Sequence, residues 1–230
     1  MGERLAAAML VVSTVTAIPA ARAGGDDDGA GDDDPAAAGP DASADAPGRR
    51  GHHRGQVGLA LSFATGYRFI KTWDSDRFCG DRASASDGGG NAAYCFDRTP
   101  FVVDLSLSYG VTKGIELMLD LRLGVERDFG STSVGDGPRP RHVAPGVKFW
   151  LTRGVVNYFS TAQLAIDTTG YTDGGGDDLG ADVRLRNANG LQVDFHDAYG
   201  VYAYFGEQVA FRRWLEVGLE AGAGIQGRYP

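Results

Sequence analysis

The sequence predicts an all-β fold, an eight-stranded antiparallel up-and-down transmembrane β-barrel preceded by a signal peptide and a disordered linker. Three observations predict it. Apolar residues recur at every second position in segments near the length that a tilted membrane-crossing strand needs. The connections between those segments alternate long and short. Between residues 51 and 230 no run is long and apolar enough for a membrane helix, so a closed barrel is the remaining way to satisfy backbone groups in lipid.

Residues 1–23 read as the signal peptide. Arg4 supplies the charged start, Leu5 to Ile18 the apolar stretch, and Ala21-Arg22-Ala23 the small-x-small cleavage pattern. Residues 24–54 form an acidic linker of Gly, Ala, Asp and Pro with no aromatic residue. Low hydrophobicity and self-repelling charge give it no core to fold around. Its Asp triplets, Asp26 to Asp28 and Asp32 to Asp34, lack the ordered oxygen spacing of a calcium loop. Much of the net charge of −8 resides there, and residues 55–230 are nearly balanced, which argues against nucleic acid as a partner.

Strand one runs from about Gln56 to Thr72. Val57, Leu59, Leu61, Phe63, Tyr67 and Phe69 share one face; Gly58, Ala60, Ser62, Ala64, Gly66 and Arg68 share the other. A long loop follows that holds both cysteines, Cys79 and Cys95. In an exported chain such a pair is expected to form a disulfide, closing about fifteen residues and worth about 3 kcal/mol in the chain-entropy account. Strand two, Phe101 to Gly110, sets Leu105 and Leu107 against Asp104, Ser106 and Ser108. Thr112-Lys113-Gly114 makes a tight turn, with Gly114 able to take a left-handed conformation. Strand three alternates Ile115, Leu117, Leu119, Leu121, Leu123 and Val125 with Glu116, Met118, Asp120, Arg122, Gly124 and Glu126. A helix would scatter those charges around its circumference, so period 2 decides the matter.

After a second long loop, strand four, Val143 to Thr152, places Lys148 and Trp150 opposite Val147, Phe149 and Leu151. Thr152-Arg153-Gly154 repeats the Thr-basic-Gly turn. Strand five is Val156 to Asp167, followed by a third long loop. Strand six, Asp182 to His196, sets Arg184, Arg186, Gln192 and Asp194 against Val183, Leu185, Leu191, Val193 and Phe195, with His196 counted inward beside Asp194. Strand seven, Gly200 to Phe211, is less regular. Strand eight, Leu215 to Tyr229, alternates Leu215, Val217 and Leu219 with Glu216, Gly218 and Glu220. Aromatics near strand ends, among them Tyr67, Trp73, Tyr109, Phe195, Tyr199, Phe211, Trp214 and Tyr229, fit two interfacial girdles.

With its even strand count, repeated turns and closing aromatic strand, the chain resembles the small eight-stranded outer-membrane barrels, the OmpA/OmpX-like group, over residues 55–230. Tyr229-Pro230 stands where that group carries a terminal Phe. The resemblance implies the bacterial outer membrane, short turns and both termini in the periplasm, and long loops outside. It also implies outer-membrane lipid and the barrel-assembly machinery as partners, and long loops open to an extracellular ligand.

An eight-stranded barrel is just wide enough to be filled by side chains. The inward parity carries Asp104, Glu116, Asp120, Glu126, Asp167, Asp194, Glu216 and Glu220 against Arg68, Arg122, Lys148, Arg184, Arg186 and Arg228, and such charges are expected to pair. Asn187, Asn189 and Glu207 break the pattern by falling on the lipid parity. A hairpin pairing His196 with Gly200 sets Asn189 across from Glu207. The first explanation is a register changed by a bulge near Gly190 or Gly206; the alternatives are a self-association patch and a lipid-facing catalytic site.

The function expected is that of a non-enzymatic outer-membrane barrel, structural or surface-exposed, with no cofactor. The alternatives are a small pore, a lipid-modifying outer-membrane enzyme, and a soluble lipocalin-like barrel with its faces inverted. The enzyme reading lacks a G-x-S-x-G elbow, a phosphate loop and a metal-spaced His/Cys cluster.

Overall fold

The structure is a computed structural model and describes residues 53–72, 94–128, 137–152, 154–172, 178–196 and 198–229. The signal-peptide and linker expectations up to residue 52, and Cys79 and Trp73, lie outside the described residues. Eight antiparallel strands close into one barrel in sequence order: β1 (Val57–Thr72), β2 (Tyr94–Gly110), β3 (Ile115–Gly124), β4 (Arg141–Trp150), β5 (Val156–Asp167), β6 (Asp182–His196), β7 (Tyr199–Ala210) and β8 (Trp214–Tyr229). β1 pairs with β8 from Val57↔Tyr229 to Thr72↔Trp214, so the described sheet has no free edge.

The two faces differ in chemistry. Leu107, Leu117 and Leu191 are about half exposed on the outside, at 51%, 53% and 53%, whereas Glu116 and Gln192 are 1% and 0% exposed inside. Apolar side chains point away from the barrel and polar ones fill it, the reverse of a water-soluble ligand-binding barrel.

The connections after β1, β3 and β5 gather at one end, which we call the long-loop end; those after β2, β4 and β6 form the short-turn end. Gly114 and Gly154 do not take the left-handed conformation expected of them. Positive φ occurs at Gly55 and Gly180 among the described glycines. The short turns are held by side chains instead: the Gly114 N–H donates to Thr112 Oγ1 at 3.2 Å, the Gly154 N–H to Asn157 Oδ1 at 2.9 Å, and the Tyr158 N–H to Thr152 Oγ1 at 2.6 Å.

Four further expectations are corrected. β2 begins seven residues before Phe101, pairing back to Lys71↔Tyr94 across a register shift between Ala64 and Gly66. β3 ends at Gly124, and the chain bends there, so Glu126 leaves the lumen. Its carboxylate accepts from the Phe101 N–H at 2.9 Å and pairs with the exposed Arg98 at 2.6 Å. Trp214 is buried inside the barrel rather than standing in a girdle, because it shares parity with Glu216 and donates to it at 3.1 Å. His196 is exposed, turned out by a register shift between Asp194 and His196.

That same shift, together with a hairpin that pairs His196 with Tyr199 instead of Gly200, sets the register of the polar trio. Asn187 pairs with Glu207 and Asn189 with Phe205, two residues from the pairing expected for Glu207. No bulge occurs at Gly190 or Gly206 in this ladder, and all three polar residues lie on the outer face.

Candidate functional site: the lumen and its two ends

Period-2 parity delivers polar side chains from all eight strands into one narrow space, where they sort into three layers. The central layer is built around two guanidinium groups. Arg122 on β3 grips Asp104 on β2 through Nε and Nη2 (2.6 and 2.7 Å) and Glu220 on β8 through Nη1 and Nη2 (2.7 and 3.0 Å). Arg186 on β6 donates to Glu220 at 2.7 Å, Asp104 at 3.0 Å and Asp120 at 3.3 Å. Gln163 donates to Asp120 at 2.5 Å, and Tyr204 donates to Asp104 at 3.3 Å. Forked donors matched to carboxylates in this way are the strong form of the hydrogen bond. Removing one partner would leave the others charged and dry, which is costlier than the pairing is favourable.

The layer at the short-turn end centres on Trp150. Its indole donates to Glu116 at 2.8 Å, and Arg228 lies over its ring at 5.0 Å. The Lys148 ammonium sits 4.1 Å from the Trp150 ring and 4.4 Å from the Phe159 ring, and donates to Gln192 and Gln226. Asp194 accepts from Asn157 at 2.7 Å and Gln192 at 2.6 Å. His53, which alternation gives no means of placing, closes this end. The turn His53-Arg54-Gly55-Gln56 is fixed by the Gln56 N–H donating to the His53 carbonyl, with Gly55 at φ 79°. The His53 ring lies 4.8 Å from Trp150 and is buried. The turn seats against Gly110, where any β-carbon would stand 1.7 Å from the His53 carbonyl oxygen.

At the long-loop end Arg184 joins Glu216 (2.6 Å) to Asp167 (2.7 Å), and Asp167 also meets Arg213 and His142 at 3.3 and 3.4 Å. Arg68 pairs with Asp128, which also accepts from the Tyr171 hydroxyl. Burial, with Asp128 beside it, raises the Tyr171 pKa well above its ordinary value, so the phenol stays a donor. Asp128, Tyr171 and Arg213 sit in connections, where no period marks a residue as inward. Their roles are visible only once the loops fold over the barrel end.

Two cavities separate the layers. One of about 50 Å³ lies between the central and short-turn layers, edged by Ser62, Lys148, Thr161 and Tyr202; one of about 20 Å³ lies between the central and long-loop layers, edged by Thr99, His142 and Gln208. Since a water needs roughly 10–15 Å³ measured this way, the first has room for about three waters and the second for about one.

Of the sequence-derived lumen residues, Asp104, Glu116, Asp120, Arg122, Lys148, Arg184, Arg186, Glu216 and Glu220 are buried in these layers, and Glu126 is not. Cys95 is buried at the start of β2.

No protein-family model matches the sequence, and no curated protein sequence matches it. Solved structures do. The N-terminal β-barrel domain of Pseudomonas aeruginosa OprF superimposes with a TM-score of 0.50 at 13% identity, covering 76% of this chain and 98% of that domain. Neisserial surface protein A superimposes with a TM-score of 0.50 at 11% identity, covering 75% and 97%. The fold is that of the small eight-stranded outer-membrane barrels. At these identities the likeness carries the fold: strand number, closure and size.

Proposed function

We propose that the protein is a non-enzymatic outer-membrane barrel, closed to solutes by its lumen network, with its short turns in the periplasm and its long loops as the exposed working surface. The observation that carries this reading is the inversion of the barrel: half-exposed Leu, Val and Phe outside, and most charged strand residues buried inside, where they pair across the lumen. In water that outer face would be an apolar patch far larger than a monomer exposes; in lipid it is the solvated face. Every interior Arg of the central layer and its carboxylates bond one another, which supports a filling role over a catalytic one. In this reading Cys79 and Cys95 form a disulfide that stiffens the β1–β2 loop.

The test is planar-bilayer recording of the folded protein, with heat-dependent gel mobility as the measure of folding. A folded barrel that gives no discrete conductance is expected. Reproducible unitary currents would overturn the closed reading.

The two cavities favour one alternative, a gated pore. Water-sized spaces flank the Arg122–Arg186 layer on both sides, so a rearrangement of that layer alone would join them. Discrete currents that vary with pH or voltage would support it.

A further inference from the structure

The outer wall carries one polar interruption. Along β6 the outward residues run Val183, Leu185, Asn187, Asn189, Leu191, Val193 and Phe195, so the two amides sit inside the apolar belt. Glu207 stands directly across from Asn187 on β7 and is exposed. In a lipid-facing wall a carboxylate is destabilising by an amount that grows toward the bilayer middle, and polar groups at such depth mark function.

Hydrogen bonding within the wall is directional. The Tyr158 hydroxyl donates to Asn189 Oδ1 at 3.3 Å, Asn189 Nδ2 donates to Asn187 Oδ1 at 2.7 Å, and Asn187 Nδ2 donates to the Thr161 carbonyl at 2.7 Å. Each amide nitrogen carries two hydrogens, so each keeps one donor to spare. No hydrogen bond or ion pair of Glu207 is present among the described residues, which leaves its carboxylate an acceptor without a donor. The patch therefore presents surplus donors beside a surplus acceptor. Beside it Ala162 on β5, Ala203 on β7, and Ala221 and Ala223 on β8 are exposed small residues that let a second surface come close, with Phe205, across from Asn189, as an apolar projection among them.

We propose that this patch is a self-association surface, through which two copies of the chain meet wall to wall about a two-fold axis, Glu207 of each copy accepting from the Asn187 and Asn189 amides of the other. A surface that holds both halves of a donor–acceptor pair side by side is complementary to its own rotated image, which is the requirement of a two-fold interface. A second copy meets the need of all three side chains, whereas lipid tails meet none. The proposal rests on the membrane reading above.

The experiment reconstitutes fluorescently tagged full chain into phosphatidylcholine vesicles, checks flotation and heat-dependent gel mobility, and counts copies by single-molecule photobleaching at falling protein-to-lipid ratio. Two-step bleaching that dilutes to one step is expected. Glu207→Leu and the double variant Asn187→Leu, Asn189→Leu, both compatible with lipid, should fold and shift the midpoint by at least about tenfold toward monomer. Glu207→Lys should be monomeric alone, yet should pair with a copy carrying Asn187→Asp and Asn189→Asp, because the charges then match across the interface. Barrels that float and shift on gels but bleach in one step at every ratio overturn self-association and leave the membrane reading intact. The same holds if Glu207→Leu pairs as well as the parent. Folded protein that fails to float overturns both.

Discussion

His53 closes the short-turn end as a neutral ring. Burial, then the nearby Arg228 guanidinium, hold its pKa down to about 4, against 6.5 for a free imidazole; Glu116 and Asp194 oppose the shift without cancelling it. Between those two values the unfolded or undocked chain binds a proton that the docked ring does not. Docking is therefore at full strength above about pH 6.5 and weakens as pH falls toward 4, by on the order of 3 kcal/mol in all. Site-resolved amide exchange is expected to show the Gly55 and Gln56 N–H groups losing protection across that window. In His53→Phe, which keeps a ring against Trp150, that loss should vanish; an unchanged profile would assign the acid sensitivity elsewhere. Arg122 makes the complementary case for a group that must stay charged. Arg122→Met leaves Asp104 and Glu220 sharing Arg186 alone in a dry space, and a loss of about 3–5 kcal/mol in urea unfolding is expected. A loss under 1 kcal/mol would mean that water from the adjoining cavity replaces the guanidinium.

The strands were legible because period 2 is a local property of sequence, and β3, with Leu117 to Leu123 alternating against Glu116 to Arg122, shows it at its plainest. What alternation does not encode is where the count slips. The shift between Ala64 and Gly66 adds a residue to β2 against β1, and the one between Asp194 and His196, added to a hairpin that closes at His196↔Tyr199 instead of His196↔Gly200, moves Glu207 from Asn189 to Asn187. Both arise where a sheet bends as it closes, a demand of the whole circuit rather than of any segment. Which Arg grips which carboxylate follows from the same register, so the inward parity could be read and the pairings could not. Gly66 marks one such place. A β-carbon there would stand 1.9 Å from the Leu219 carbonyl oxygen and 2.6 Å from Glu220 Cα, both backbone, so β1 and β8 would have to part. Gly66→Ala is expected to cost at least about 3 kcal/mol, or to abolish the folded gel band. Gly227→Ala, whose nearest atoms are 3.9 Å away, should cost almost nothing. Equal tolerance at both positions would show that closure at Gly66 is looser than the pairing implies.

At the scale of the whole barrel, the three polar layers are barriers in series. An ion crossing the lumen meets His53, Trp150 and Arg228 at one end, the Arg122–Arg186 layer in the middle, and Arg213, Tyr171 and Trp214 at the other, with the two cavities between. Resistances in series are set by the tightest, so breaking the middle layer alone joins two small cavities and leaves both end layers standing. Arg122→Ser with Arg186→Ser, combined with Asp104→Ser, Asp120→Ser and Glu220→Ser to avoid stranding charge, is therefore expected to fold and remain silent in a planar bilayer. Adding His53→Gly and Trp150→Ala opens the short-turn side, and current is expected only when the long-loop cluster is opened too, through Tyr171→Ala and Trp214→Ala. Unitary currents from the middle-layer variant alone would show that the end clusters fluctuate open by themselves. The central ion pairs would then be the gate of a pore, and the sealed-barrel reading would give way to the alternative that the cavities favour.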